Sequence, residues 1–179
     1  MRLVSFEHNG HAAWGAATDG GIVDLGRRLT AHDSLMALLR SGPDAMREAR
    51  QLADATAPDH ALDAVQLLPP LARPGKIFCI GVNYAHRNAE YKDGSELPKY
   101  PSIFMRVPDS LVGHGQALIQ PHESRQLDYE GEIAIVIGRP GRRIAPEQAW
   151  SHIAGFSCMN EGTIRDWVHH AKFNVTQGK

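Results

Sequence analysis

Apolar and polar residues alternate in short runs over the first part of the chain, from Arg2 to Glu7, Ala12 to Thr18 and Gly21 to Leu25. Asn9-Gly10 and Asp19-Gly20-Gly21 separate these runs. Such residues accept the positive φ of tight turns, so the pattern predicts antiparallel hairpins. The period then lengthens: Leu35, Leu38 and Leu39, followed by Ala45 to Ala53, carry helical spacing, with Asp33-Ser34 as a cap and Ser41-Gly42-Pro43 as the break between two helices. Residues 1–70 are therefore expected to form a small α+β domain. Ala57 to Ala64 and the prolines at 69, 70 and 74 read as a connection, and a domain boundary falls near Leu71. In residues 71–179 strand-like runs take over, at Lys76 to Val82, Ser102 to Val107, Gln116 to Gln120, Glu130 to Ile137 and His152 to Met159. Tyr84 to Tyr91 and Pro146 to His152 are the helical candidates between them.

Length and composition narrow the class. A chain of 179 residues holds one domain, or two at most, and 42% hydrophobic with 22% charged residues is the balance of an ordinary globular protein. A formal net charge of −1, from 19 Lys+Arg against 20 Asp+Glu, gives no broad basic surface for nucleic acid or an anionic membrane. A small molecule or another protein is the expected partner. No apolar run approaches the roughly 18 residues of a membrane span, and Glu7, His8 and Gly10 interrupt the N-terminus before a signal-peptide core accumulates. Cys79 and Cys158 lie in apolar runs and are expected as buried, inert thiols in a reducing compartment, so the chain reads as cytoplasmic.

The segment with the most chemistry is Leu127-Asp-Tyr-Glu-Gly-Glu-Ile-Ala-Ile-Val-Ile-Gly138. Ile133 to Ile137 is apolar at every position, which predicts a buried interior strand. Side chains repeat every two residues in a strand, so Glu130, Glu132, Ala134 and Val136 share one face. Two adjacent carboxylates on a buried face repel one another unless a cation or several donors compensate. Mg²⁺, Mn²⁺ or Ca²⁺ suits such oxygen ligands, the alternative being two glutamates at the solvated end of a strand. Glu161, Asp166 and Asp128 are candidates for further ligands. In Ile80-Gly-Val-Asn-Tyr-Ala-His-Arg-Asn-Ala-Glu-Tyr91, His86 and Glu90 are neighbours at helical spacing. A histidine oriented by a carboxylate serves as a general base near neutral pH; a surface helix pair is the other reading.

Four motifs occur in one order: Gly81-Val-Asn-Tyr84, Pro101-Ser-Ile-Phe104, Tyr129-Glu-Gly-Glu-Ile-Ala134 and Asn160-Glu-Gly-Thr-Ile-Arg-Asp-Trp167. In this combination residues 76–179 resemble the fumarylacetoacetate hydrolase family, in particular its bacterial 2-hydroxyhepta-2,4-diene-1,7-dioate isomerase-like and acylpyruvate hydrolase-like members. The resemblance implies a β-rich, mixed-sheet catalytic domain behind a small α+β domain, making an α+β protein. It also implies a Mg²⁺ or Mn²⁺ ion held by Glu130, Glu132 and Glu161, the last standing where much of the family has aspartate. The family's lid carries a His and Glu dyad; here Glu90 matches, Arg87 occupies the usual histidine position and His86 lies one place earlier. Lys179 corresponds to a lysine common near the active site. Arg106 and Arg87 are expected at a substrate carboxylate.

The activity so implied is cleavage of a C–C bond in an acylpyruvate-like 2,4-dioxo acid through a metal-stabilised enolate, in aromatic-compound catabolism. Isomerisation or decarboxylation of a 2-hydroxy-dienoate or 2-oxo diacid is the alternative, favoured if Arg87 disables the dyad, and a non-catalytic metal-binding homologue is a third reading. Family members run beyond residue 179, so the resemblance further implies a C-terminally truncated catalytic unit. It implies a homodimer as well.

Overall fold

The structure, a computed structural model, describes residues 1–84, 99–170 and 175–179. His86, Arg87 and Glu90 lie outside the described residues, as does most of the candidate helix Tyr84 to Tyr91. The chain divides into two compact units: Met1–Ala72 with Leu111–Leu118 and Gly131–Asn160, and Arg73–Ser110 with Ile119–Glu130 and Glu161–Lys179.

The first unit begins with the expected hairpins. Strands β1 (Arg2–His8), β2 (His11–Thr18) and β3 (Gly21–Asp24) run antiparallel, and β4 (Gln66–Leu68) joins the free edge of β1, giving the order β3-β2-β1-β4. Trp14, Ala16 and Val23 line one face of this sheet, because Ala16 pairs with Val23 and Trp14 lies two residues back along β2. Helices α1 (Leu35–Arg40) and α2 (Pro43–Ala55) supply Leu35, Leu38, Ala49 and Ala53 to the same core. Full burial of a leucine such as Leu38 contributes about 1.5–3 kcal/mol. Ser34 caps α1 by accepting the Ala37 N–H at 3.2 Å, and Pro43 opens α2, where a missing N–H costs nothing. On the opposite face, Phe6 and Ile22 are fully buried, and the backbone of His60 bonds to Ile22.

Asp59 ties that returning segment to the sheet. Its Oδ2 accepts the Asp24 N–H at 2.8 Å and Arg28 Nη1 at 2.6 Å, while Oδ1 accepts Arg28 Nη2 at 2.9 Å. This two-pronged pairing holds the Asp59 carboxyl down at about 2, the Arg28 hydrogen bond being the largest cause.

Gln116 to Gln120 is not a strand. Gln116 instead closes a turn, its N–H bonding to the Gly113 carbonyl at 3.1 Å and its side-chain oxygen accepting the Gly113 N–H at 2.5 Å. Gly113 is required there, since a Cβ would stand 1.9 Å from the Leu67 carbonyl oxygen. The same unit holds a long hairpin of β8 (Gly131–Ile137) and β9 (Ile153–Asn160). Pro146–His152, before β9, is 3₁₀ helix, not α. Burial alternates strictly along β8, so Glu132, Ala134 and Val136 share its half-buried face as expected. The expected buried interior strand is not found: Ile133, Ile135 and Ile137 are 64%, 55% and 63% exposed, because among the described residues only β9 pairs with β8 and nothing covers the isoleucine face. Cys158 shares that face opposite Ile133 and is exposed, contrary to its expected burial.

In the second unit β5 (Ile77–Gly81) pairs antiparallel with β6 (Ser102–Arg106), setting Ile77 opposite Arg106 and Cys79 opposite Phe104. Two further strands, β7 (Leu127–Asp128) and β10 (Thr163–Ile164), pair Asp128 with Thr163. Among the described residues no helix is long and apolar enough to cross a membrane.

Candidate metal centre

Glu130 follows β7 by two residues, Glu161 precedes β10 by two, and the Glu161 N–H donates to the Glu130 carbonyl at 2.8 Å. That bond continues the local antiparallel pairing and sets the two side chains beside each other. Glu132 lies two residues beyond Glu130 along the chain, on the half-buried face of β8. One carboxylate oxygen from each of Glu130, Glu132 and Glu161 lies within 4.8 Å of the others. The strand periodicity that placed Glu130 and Glu132 together thus holds in space, and Glu161 joins them.

Among the described residues, three cations surround this charge. Lys179 donates to Glu130 Oε2 at 2.8 Å, to Glu161 Oε2 at 3.0 Å and to Thr163 Oγ1 at 3.1 Å, with its Nζ 5.1 Å from the centre of the Phe104 ring. Arg106 donates Nε to Glu161 Oε1 at 3.0 Å and Nη2 to the Gly162 carbonyl at 2.7 Å. Arg165 donates Nη1 to Glu130 Oε1 at 2.6 Å and Nε to Asp128 Oδ2 at 3.0 Å. The Arg106 and Glu161 side chains are only 8% and 7% exposed, so this pair is desolvated and depends on its geometry.

Burial pushes the Glu161 carboxyl up, but the Lys179, Arg106 and Cys79 hydrogen bonds outweigh it and hold the group below its ordinary value. Burial also drives the Cys79 thiol up to about 12, with the neighbouring Glu161 adding to the effect. Cys79 is therefore a neutral donor to Glu161 on the half-buried face of β5. The remaining acid candidates serve other partners. Asp128 is held low by Arg165 and the Tyr129 N–H, and Asp166 accepts Ser124 Oγ at 2.7 Å.

Sequence patterns alone did not single out Cys79, Thr163 or Arg165. Alternation along β5 puts Cys79 on the same face as Ile77 and Gly81, and Arg165 belongs to the Asn160 to Trp167 motif, so both signals were present. Arg106, expected at a substrate carboxylate, faces Glu161 here. The carboxylate set consists wholly of hard oxygen donors and already accommodates a compact positive charge, the Lys179 ammonium; it fits a hard divalent cation.

Residues 76–179 match the fumarylacetoacetate (FAA) hydrolase C-terminal family. The chain belongs to the fumarylacetoacetate hydrolase family. It is 37% identical over 148 residues to an oxaloacetate tautomerase of Bacillus subtilis, covering 76% of this chain and 49% of the relative. It is 34% identical over 172 residues to a mitochondrial oxaloacetate tautomerase of Rattus norvegicus, covering 93% of this chain and 54% of the relative. A solved fumarylacetoacetate hydrolase from Exiguobacterium antarcticum superposes with a TM-score of 0.74 at 32% identity, over 100% of this chain and 62% of that one. The chain thus spans about half the length of the curated relatives it matches.

Proposed function

We propose that this chain is the metal-binding part of an enzyme that interconverts the enol and keto forms of a short 2-oxo diacid of the oxaloacetate type. The convergence of Glu130, Glu132 and Glu161 within one ion's reach carries the reading. The tautomerases that align with 76% and 93% of the chain support the reaction class. A divalent ion on these three carboxylates would supply Lewis-acid polarisation of the 2-oxo carbonyl, favouring enolate character at the neighbouring carbon.

The chain's own residues divide the remaining work. Arg106 and Arg165 each hold one oxygen of Glu161 and Glu130, which fixes the carboxylate planes and leaves the other oxygen of each turned toward Lys179. Lys179 is a donor suited to an enolate oxygen or a substrate carboxylate. Cys79, neutral and hydrogen-bonded to Glu161, adds a donor without adding charge. His86 and Glu90 are proposed as the proton-transfer pair at the substrate carbon, with Arg87 beside them for a carboxylate.

Hydrolysis of an acylpyruvate is the second reading, favoured by the likeness of the whole chain to the Exiguobacterium hydrolase. One assay separates the two. Freshly dissolved enol oxaloacetate is followed by its ultraviolet absorbance with Mg²⁺ or with EDTA, and acetylpyruvate is followed in parallel for pyruvate release. Tautomerisation predicts a metal-dependent excess over the spontaneous enol decay and no pyruvate release. Equal decay in Mg²⁺ and EDTA contradicts it, and pyruvate release alone transfers the assignment to hydrolysis.

A further inference from the structure

The four oxygens of Glu130 and Glu161 are divided in an ordered way. The two arginines take one oxygen from each glutamate, and Lys179 spans the other two, Glu130 Oε2 and Glu161 Oε2. Its third N–H goes to Thr163 Oγ1, so all three ammonium donors are used, and the side chain is only 9% exposed. Thr163 is itself fully buried and donates to the Glu161 carbonyl at 3.2 Å, so the lysine seat is built into the strand pairing.

We infer that Lys179 is a built-in occupant of the cation site, and that a divalent ion enters by exchanging with its ammonium on Glu130 Oε2 and Glu161 Oε2. The inference rests on the metal reading above and adds its mechanism of loading. An ammonium and a divalent ion cannot both take the same two oxygens at bonding distance, because two cations that close repel strongly in a partly desolvated site. The arginines need not move, as they hold the opposite oxygens, Glu161 Oε1 and Glu130 Oε1. Exchange has a further consequence: the displaced ammonium has lost two carboxylate acceptors and presents its donors to an anionic ligand, so the site acquires its substrate-facing cation only when loaded.

Two measurements test this. Free Mn²⁺ is titrated by electron paramagnetic resonance against wild type, Lys179→Met and Lys179→Arg, and amine acetylation of Lys179 in wild type is followed by peptide mass mapping with Mg²⁺ or EDTA. Exchange predicts that Lys179→Met binds Mn²⁺ at least about tenfold more tightly than wild type, whereas Lys179→Arg does not. It also predicts that saturating Mg²⁺ accelerates acetylation of Lys179 several-fold relative to the other lysines. Labelling uses the unaltered protein, so it decides even if the variants fold poorly. Lys179 that stays equally protected in Mg²⁺, or a Lys179→Met protein that binds Mn²⁺ no more tightly, overturns the exchange while leaving the metal site standing. Wild type that binds no Mn²⁺ overturns both.

Discussion

Replacing Arg106 by methionine keeps the length of the side chain and removes both its charge and its two hydrogen bonds, to Glu161 and to the Gly162 carbonyl. Removing one partner of a buried ion pair costs about 3–5 kcal/mol, because the other charge is left uncompensated. Glu161 keeps Lys179 on its second oxygen, so the loss here should fall just below that range, at about 2–3 kcal/mol. For a chain of this size each kcal/mol lowers the melting temperature by about 2–4 °C, which predicts a fall of about 5–10 °C by calorimetry in EDTA. Saturating Mn²⁺ should recover part of that fall, since an ion supplies the positive charge the variant lacks. Glu161→Gln in the same background should also recover part of it by removing the stranded charge, giving a coupling of at least about 1 kcal/mol in the double-mutant cycle. A melting temperature within a degree of wild type, or strictly additive effects of the two substitutions, would refute the reasoning.

Other consequences concern the first unit. The Asp59 carboxyl is held at about 2 instead of 3.8 by Arg28, so its contribution is fully present above the unfolded value and is lost as pH falls through the folded one. Asp59→Asn should therefore cost on the order of 2 kcal/mol in urea unfolding at pH 6, and the gap between variant and wild type should close as the pH approaches 2. Gly113→Ala forces a methyl against the Leu67 carbonyl, so it should destabilise the fold by about 1–3 kcal/mol and raise amide exchange in β4, whereas Gly10→Ala meets no atom within 4 Å and should differ mainly through the backbone strain of its positive φ.

Much of this arrangement was legible before the structure. Period-2 runs broken by Asn9-Gly10 and Asp19-Gly20-Gly21 became β1 to β3, and the capping serine and N1 proline marked α1 and α2. Strand periodicity alone brought Glu130 and Glu132 together, and their carboxylates do lie close, although β8 itself begins at Gly131. What escaped was set by long-range contacts. β4, β7 and β10 have three, two and two residues, too few for periodicity to register, and they exist because a distant strand accepts their backbone bonds. Gln116 to Gln120 has strand composition, yet Gln116 bonds back to Gly113 and ends the extension. The isoleucines of β8 read as interior because apolarity reports a preference for burial and not the presence of a covering element. The resemblance pointed to Lys179 and Arg106 near the site, but not to their ion pairs with the glutamates: the pairing of β7 with β10 brings Glu130 and Glu161, the partners of Arg106, Arg165 and Lys179, together, and spacing does not report that pairing.

The most direct test of the central claim is a thermal melt of wild type and Glu132→Gln in EDTA and in saturating Mn²⁺. Glu132 is chosen because its carboxylate completes the set of three, while the contacts of Lys179, Arg106 and Arg165 with Glu130 and Glu161 stay in place. An ion at 100 times its dissociation constant stabilises a fold that alone binds it by about 2.7 kcal/mol. Wild type should then melt about 5–10 °C higher in Mn²⁺ than in EDTA, and Glu132→Gln should show no metal-dependent shift. Identical wild-type melts in the two solutions, or a full shift retained by Glu132→Gln, would contradict the three-glutamate metal centre.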